Sequence, residues 1–293
     1  MEDFIMHTKT NYQLVALDLD GTLFNSQSQV SDENKTAIRH AAAHGIHFVI
    51  STGRPYTGLP LELMKELGIR YAITVNGAAV YKIPERECLL ETGMPASLAA
   101  DIVEELLNLN IHINLFIHGD AYMPSQCEEI IKNIDSLPAA LREYMISTRT
   151  SVPDLPAFLR EQQSDVQKLT LNFPQAEDGT YPERVKTIAI LDRYPQISYL
   201  SGGYGNLEFT KTGVSKAKGL SFLCKHLDIP IDQTIACGDS ENDLDILKIA
   251  GLGVAMSNAP EDIRKMADDI TKSNDEHGVA AMLIKWLPEI FSA

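Results

Sequence analysis

Short apolar runs alternate with amphipathic stretches in the first and last thirds of the chain. Residues 13–17 read Gln-Leu-Val-Ala-Leu, the near-continuous apolar run of a strand buried on both faces. Residues 46–50 and 71–75 form two more such runs. Between the first two, Ser31 is placed to cap a helix that carries Ala37, Ile38, Ala41 and Ala42 and stops at Gly45. Pro55 suits the first turn of a further helix, which Gly68 ends. The last third repeats the pattern: a helix over 216–227, a strand over 233–237, a helix over 241–250 stopped by Gly251 and a strand over 252–256. Helices near 261–267 and 279–287 follow. Strands and helices alternating in this way predict an α/β fold, a doubly wound parallel sheet with helices on both faces.

The middle of the chain departs from that pattern. It predicts a helix over 97–109, a strand over 111–117, a strand over 166–172, a helix over 182–194 and a strand over 196–201, separated by proline-containing and charged loops. This is the pattern of a second α/β domain, residues 93–209, inserted into a core made of residues 1–92 and 210–293. Turn-rich segments at 93–95 and 210–213 are the expected hinges.

Three apolar runs end in polar clusters: Asp18-Leu19-Asp20-Gly21-Thr22, Ser51-Thr52-Gly53-Arg54 and Gly238-Asp239-Ser240-Glu241-Asn242-Asp243. In open α/β sheets ligands bind beyond the carboxyl ends of the strands, so neighbouring strands would bring these clusters to one crevice. Asp18 and Asp20 repel each other unless a divalent cation lies nearby, and an all-oxygen ligand set favours Mg²⁺. A surface Asp-x-Asp-Gly turn is the simpler alternative for this segment. The hydroxyls and amides of Ser51, Thr52 and Gly53 precede a helix and suit a phosphate, although such residues also merely cap helices. Asp239, Glu241 and Asp243 exceed what helix capping requires, which makes them candidates for further metal ligands. Lys216 opens a helix after Gly-Val-Ser, either as a solvated lysine or as a cation neutralising the aspartates.

Composition narrows the function. A formal net charge of −15 argues against nucleic acid as a partner, while local cations and a metal would still admit a phosphate substrate. Cys88, Cys127, Cys224 and Cys237 are scattered, as expected of reduced thiols in a cytoplasmic protein. Residues 1–6 lack the basic and apolar regions of a signal peptide, and no apolar run approaches the roughly 18 residues of a membrane span.

Taken in order, these residues resemble the four signature motifs of the haloacid dehalogenase-like (HAD) phosphatases: Leu17-Asp18-Leu19-Asp20-Gly21-Thr22, Ser51 in Ser-Thr-Gly-Arg, Lys216 in Gly-Val-Ser-Lys, and Gly-Asp239-Ser-Glu-Asn-Asp243. Asn76-Gly77 and the long insertion resemble the Cof-type branch with its α/β cap (type IIB). The resemblance implies a Rossmann-like HAD core and a Mg²⁺-dependent phosphatase acting on small phosphorylated metabolites, sugar phosphates or phosphorylated cofactors. It implies Asp18 as nucleophile and Asp20 as general acid and base. Mg²⁺ would be held by the Asp18 side chain, the Asp20 backbone carbonyl and Asp239. Ser51, Thr52, Gly53, Lys216 and Asn242 would bind the phosphoryl group, and Asp243 would orient Lys216 or a metal-bound water. The inserted domain would act as a lid, with His112, Asn114, His118, Tyr122 and Lys168 as candidates for substrate contact. Its expected state is a monomer or small homo-oligomer. The rival readings are a phosphotransferase or mutase on the same scaffold and a non-catalytic phosphate-binding regulator.

Overall fold

Two sheets divide the chain in the computed structural model, which describes residues 11–201 and 205–292. Residues 1–6, read above for a signal peptide, lie outside the described residues. The strands, in chain order, are β1 (Leu14–Leu17), β2 (His47–Ser51), β3 (Tyr71–Thr74), β4 (Ala79–Lys82) and β5 (Glu87–Glu91). Then come β6 (His112–Ile117), β7 (Asp120–Pro124), β8 (Thr150–Val152), β9 (Lys168–Asn172), β10 (Ile197–Leu200) and β11 (Leu207–Lys211). The last three are β12 (Thr234–Gly238), β13 (Leu252–Ala255) and β14 (Asp269–Ile270).

The first sheet has the order β14-β13-β12-β1-β2-β3-β4-β5. From β14 to β3 all pairs are parallel. Strands β1 and β12 are hydrogen-bonded neighbours from opposite ends of the chain. From that pair the chain winds outward in both directions, so strand order reverses between them and opens a crevice at their carboxyl ends. Residues of β1, β2, β12 and β13 are almost entirely buried, as two-sided coverage by helices requires. The helix Asp32–Ala43 begins as expected, with Ser31 accepting from the Asn34 amide at 3.3 Å.

The second sheet, β10-β11-β9-β6-β7-β8, is antiparallel except for the β7–β8 pair. Its two faces differ in chemistry. Ile113, Leu115, Ile117, Leu169, Leu171, Leu207 and Phe209 form an apolar face against the helices Ala96–Leu106, Leu155–Glu161 and Pro182–Leu191. The alternate positions form a polar face whose register pairs are His112 with Asn172, Asn114 with Thr170, Phe116 with Lys168 and Glu208 with Thr170.

Several segments differ from the pattern read in the sequence. Strands β4 and β5 close one edge of the first sheet as antiparallel partners. The alternation of Glu87, Cys88, Leu90 and Glu91 is too polar to read as a buried strand, because an edge strand has a solvent-facing side. The helix expected from Pro55 to Gly68 breaks into a 3₁₀ turn, Tyr56–Gly58, and a short helix, Leu61–Glu66. Leu59 precedes Pro60 and is forced to an extended conformation, with φ −78° and ψ 143°. Strand β11 continues in the second sheet to Lys211, which pairs with Ile197. Among the described residues no helix is long and apolar enough to cross a membrane.

Candidate active site

The three polar clusters meet at the carboxyl ends of β1, β2 and β12. Asp18 follows β1 directly, and its amide donates to Cys237 O at 3.0 Å, continuing the β1–β12 ladder by one residue. Lys216, at the start of the helix Lys216–Leu227, is fully buried. Its Nζ donates to Asp18 Oδ1 and to Asp243 Oδ1, each at 2.6 Å. Burial alone would lower this lysine's pKa, but the two carboxylates outweigh it and raise the value, so the group stays an ammonium. Burial pushes Asp18 upward, Lys216 opposes it, and the nearby Asp243 and Asp239 add to the rise.

Asp243 is held on both oxygens. Oδ2 accepts from the amides of Asp239 and Ser240, both at 3.1 Å, while Oδ1 receives Lys216. Asp243 thereby fixes Lys216 and shapes the loop that carries Asp239. Asp239 accepts the Thr22 hydroxyl on Oδ1 at 2.9 Å. Burial, then Asp243, pushes its pKa up to about 6. Gly21 is required beside it: with φ +87°, a Cβ there would stand 2.4 Å from Asp239 Oδ2.

Asp18, Asp239 and Asp243 offer carboxylate oxygens that all lie within 4.8 Å of one another. Crowded carboxylates, two of them (Asp18 and Asp239) with raised pKa values, are the arrangement that a hard divalent cation relieves. The residues therefore fit a metal ion, with Asp18 and Asp239 having oxygens left for it. The Asp20 carboxylate is turned elsewhere. Arg54 binds it through Nη2 to Oδ1 at 2.6 Å and Nε to Oδ2 at 2.8 Å. Arg54 also lies over the Phe24 ring, with Cζ 5.3 Å from its centroid.

The Ser51 hydroxyl is buried with no hydrogen-bond partner. An orphaned buried hydroxyl at the end of β2, next to the strand that Asp18 follows, marks a place for an incoming oxygen-rich group. Thr52 is differently engaged: its amide donates to Ile73 O at 2.8 Å and its hydroxyl accepts from the Arg54 amide at 3.2 Å. The carbonyl of Gly53 accepts Lys168 Nζ from the second sheet at 2.7 Å. A Cβ at Gly53 would meet Asn76 Oδ1 at 2.9 Å and Lys168 Nζ at 3.4 Å.

A polar network joins the two sheets. Asn242 donates to Asn76 Oδ1 at 3.1 Å, and Asn76 Nδ2 donates to Glu208 Oε2 at 2.7 Å. Glu208 also pairs with Lys168 at 2.9 Å. Of the cap candidates, His112, Asn114 and Lys168 lie on the polar face and are buried. Two do not. Tyr122 packs on the apolar side, 5.1 Å from the Phe158 ring, and His118 is exposed beside Glu91 and Ser164. Arg54, Thr22 and Glu208 received no role from the sequence. Arg54 and Thr22 stand inside the motifs already singled out, whereas Glu208 is one acidic residue in an alternating strand and carries no local signal.

A family model for haloacid dehalogenase-like hydrolases matches residues 15–283. The chain belongs to this family. Among similar HAD-like proteins is Phosphatase YwpJ of Bacillus subtilis (strain 168), 33 % identical over 294 residues that cover 92 % of this chain and 98 % of the relative. The 5-amino-6-(5-phospho-D-ribitylamino)uracil phosphatase YcsE of the same organism is 28 % identical, with 97 % and 99 % covered. The solved structure of a haloacid dehalogenase-like hydrolase from B. subtilis superposes with a TM-score of 0.78 at 31 % identity, covering 92 % of this chain and 98 % of that one. The resemblance to Cof-type HAD proteins read in the motifs is thus borne out, and the protein is a phosphatase-type hydrolase.

Proposed function

We propose that this HAD-like protein hydrolyses small phosphate monoesters through an aspartyl-phosphate formed on Asp18. The observation that carries the reading is the trio of a buried Asp18, its ion pair with Lys216 and the partnerless Ser51 hydroxyl. An oxygen of Asp18 attacks phosphorus, the phosphorus–oxygen ester bond breaks, and the leaving alkoxide takes a proton from Asp20. Asp20 then removes a proton from a water that attacks the aspartyl-phosphate, releasing inorganic phosphate and restoring the Asp18 carboxylate. Lys216 and Ser51 hold the phosphoryl oxygens as charge redistributes over them. Arg54 positions Asp20, and Asp243 positions Lys216.

Mg²⁺ is the cation that the hard oxygen donors favour; Asp18 and Asp239 with the Asp20 carbonyl would hold it, and it would screen the repulsion between nucleophile and substrate. A pure binding protein would not need Asp20 placed on an arginine tether beside the nucleophile's loop. Domain boundaries follow the same reading: residues 93–209, with the two residues that finish β11, act as a lid whose Lys168–Gly53 contact closes over the site. Small phosphorylated metabolites are the substrate class, in keeping with the second sheet's Lys168 reaching the Gly53 carbonyl beside the site. The test is phosphate release from a panel of sugar and cofactor phosphates, with Mg²⁺ and with chelator. Release that needs metal supports the reading. Transfer to added sugar acceptors in place of phosphate release would instead favour the phosphotransferase.

A further inference from the structure

Four cations gather where the two sheets face each other, and three of them have carboxylate partners. Lys216 is held by Asp18 and Asp243, Arg54 by Asp20 and Lys168 by Glu208. The fourth, Arg149, forms no ion pair among the described residues. Its Cζ lies 4.9 Å from the centroid of the Tyr144 ring, Nη1 donates to the adjacent Thr148 hydroxyl, and Nε is buried with no partner. An arginine cannot shed its charge, so a half-buried guanidinium with its Nε shut off from water and no anion beside it is an unmet electrostatic demand.

Arg149 follows the helix Ala139–Thr148, which meets the polar face of the second sheet at Asn114. Met145 of that helix takes Asn114 Nδ2 at 3.8 Å. Tyr144 reaches the first sheet's side of the seam, where a Cβ at Gly58 would come within 3.0 Å of its hydroxyl. The Gly58 carbonyl accepts Arg54 Nη1 at 3.3 Å, and Arg54 holds Asp20. A short path thus leads from the candidate acid to Arg149, and the charge of Arg149 acts on Arg54, Lys168 and the His112 ring.

His112 and Asn114 supply a second, independent sign of a ligand. Both are buried, at 0 % and 1 % exposure. Asn172 Nδ2 lies 3.0 Å from His112 Nδ1. With the amide as donor there, Nδ1 accepts and the ring proton sits on Nε2. That Nε2–H has no partner, and neither does Asn114 Oδ1. Rotating the Asn114 amide by half a turn would present its NH₂ instead. Two donors, one permanently charged and one neutral, beside an adaptable amide match an anionic oxygen group with a hydroxyl next to it.

We propose that Arg149, His112 and Asn114 form a subsite for a second anionic group on the substrate, a carboxylate or a second phosphate, on the part that leaves when Asp18 takes the phosphoryl group. This rests on the phosphatase reading above, and it narrows the substrate class from phosphate monoesters in general to those with an acidic leaving portion.

Matched substrates test it. Sorbitol 6-phosphate and 6-phosphogluconate differ at the far end by a hydroxymethyl against a carboxylate; fructose 1-phosphate and fructose 1,6-bisphosphate differ by a second phosphate. The Mg²⁺-loaded wild-type enzyme is expected to favour the doubly acidic member of at least one pair by about tenfold or more in kcat/KM, the scale of one charge-assisted hydrogen bond. Whichever pair shows the preference identifies carboxylate or phosphate. In Arg149→Met the preference should fall to near unity through a raised KM, and Arg149→Lys should restore part of it. Calorimetric titration of the wild type with the same two pairs reads the subsite without turnover. Selective binding without hydrolysis would leave the subsite standing and remove the phosphatase reading. Hydrolysis with equal kcat/KM across both pairs in the wild type, or a preference untouched by Arg149→Met, would overturn the subsite.

Discussion

The guanidinium of Arg54 grips both carboxylate oxygens of Asp20, at 2.6 and 2.8 Å, and so fixes the side chain assigned to move protons. A fork of this kind sets orientation as well as charge. Arg54→Met is expected to lower kcat about tenfold or more for alkyl phosphates, whose leaving groups need a proton. Para-nitrophenyl phosphate has a leaving group that needs none, so its phosphoenzyme formation should suffer less. Rapid-mixing kinetics on the two substrates would show it; equal losses on both would remove the positioning role.

Lys216 answers two buried carboxylates at once. Replacing it by methionine leaves Asp18 and Asp243 without their cation, a change expected to cost about 3–5 kcal/mol of stability. Urea unfolding measures the loss. Added Mg²⁺ should recover part of it, because a cation returns to the same carboxylates. A Lys216→Met protein as stable as wild type without metal would show that the pair does not hold the site together.

The metal reading makes a prediction about pH. Asp239 is raised in the fold to about 6, first by burial and then by Asp243, from an ordinary value of 3.8. A raised carboxyl stabilises the fold fully below its unfolded value, and that contribution is lost as pH rises through about 6. The metal-free protein should therefore lose about 1–2 kcal/mol from this group between pH 4 and 7, after allowance for its partial exposure. Mg²⁺ should raise the melting temperature more at pH 7.5 than at pH 5. Asp239→Asn should flatten the metal-free dependence and abolish the response to Mg²⁺. A melting temperature indifferent to Mg²⁺ at pH 7.5 would count against the site.

Much of this was legible in the sequence, and the limits have physical causes. Asp18, Ser51 and Asp239 could be placed because each closes an apolar run long enough to read as a buried strand, and parallel order then forces their ends together. The second sheet was legible only in part. Lys168 and Glu208 meet across β9 and β11 from positions far apart in the chain, and nothing local to either announces a buried ion pair. Tyr122 and Lys168 looked alike as polar residues in strands. Register alone decides that Lys168 faces the site while Tyr122 packs against Phe158. Arg149 showed no signal, since its significance is the absence of a partner.

His112 offers a check on the buried polar face in the acid range. Burial, reinforced by the charge of Arg149, lowers its pKa to about 3 from an ordinary 6.5. A depressed histidine contributes stability that is present above its unfolded value and lost as pH falls toward the folded one. The wild type should lose on the order of a few kcal/mol from this group between pH 6.5 and 3. His112→Gln should unfold less steeply over that window in a pH series of urea melts. Parallel curves for the two proteins would place His112 in contact with water.

The central claim is that Asp18 is the nucleophile, and one comparison reaches it directly. Phosphate release from para-nitrophenyl phosphate is measured for wild type and Asp18→Asn, each with Mg²⁺ and with chelator. The account predicts metal-dependent release by the wild type and a fall of roughly a thousandfold or more in the variant, about 4 kcal/mol of barrier. Release by a folded Asp18→Asn at the wild-type rate would contradict it.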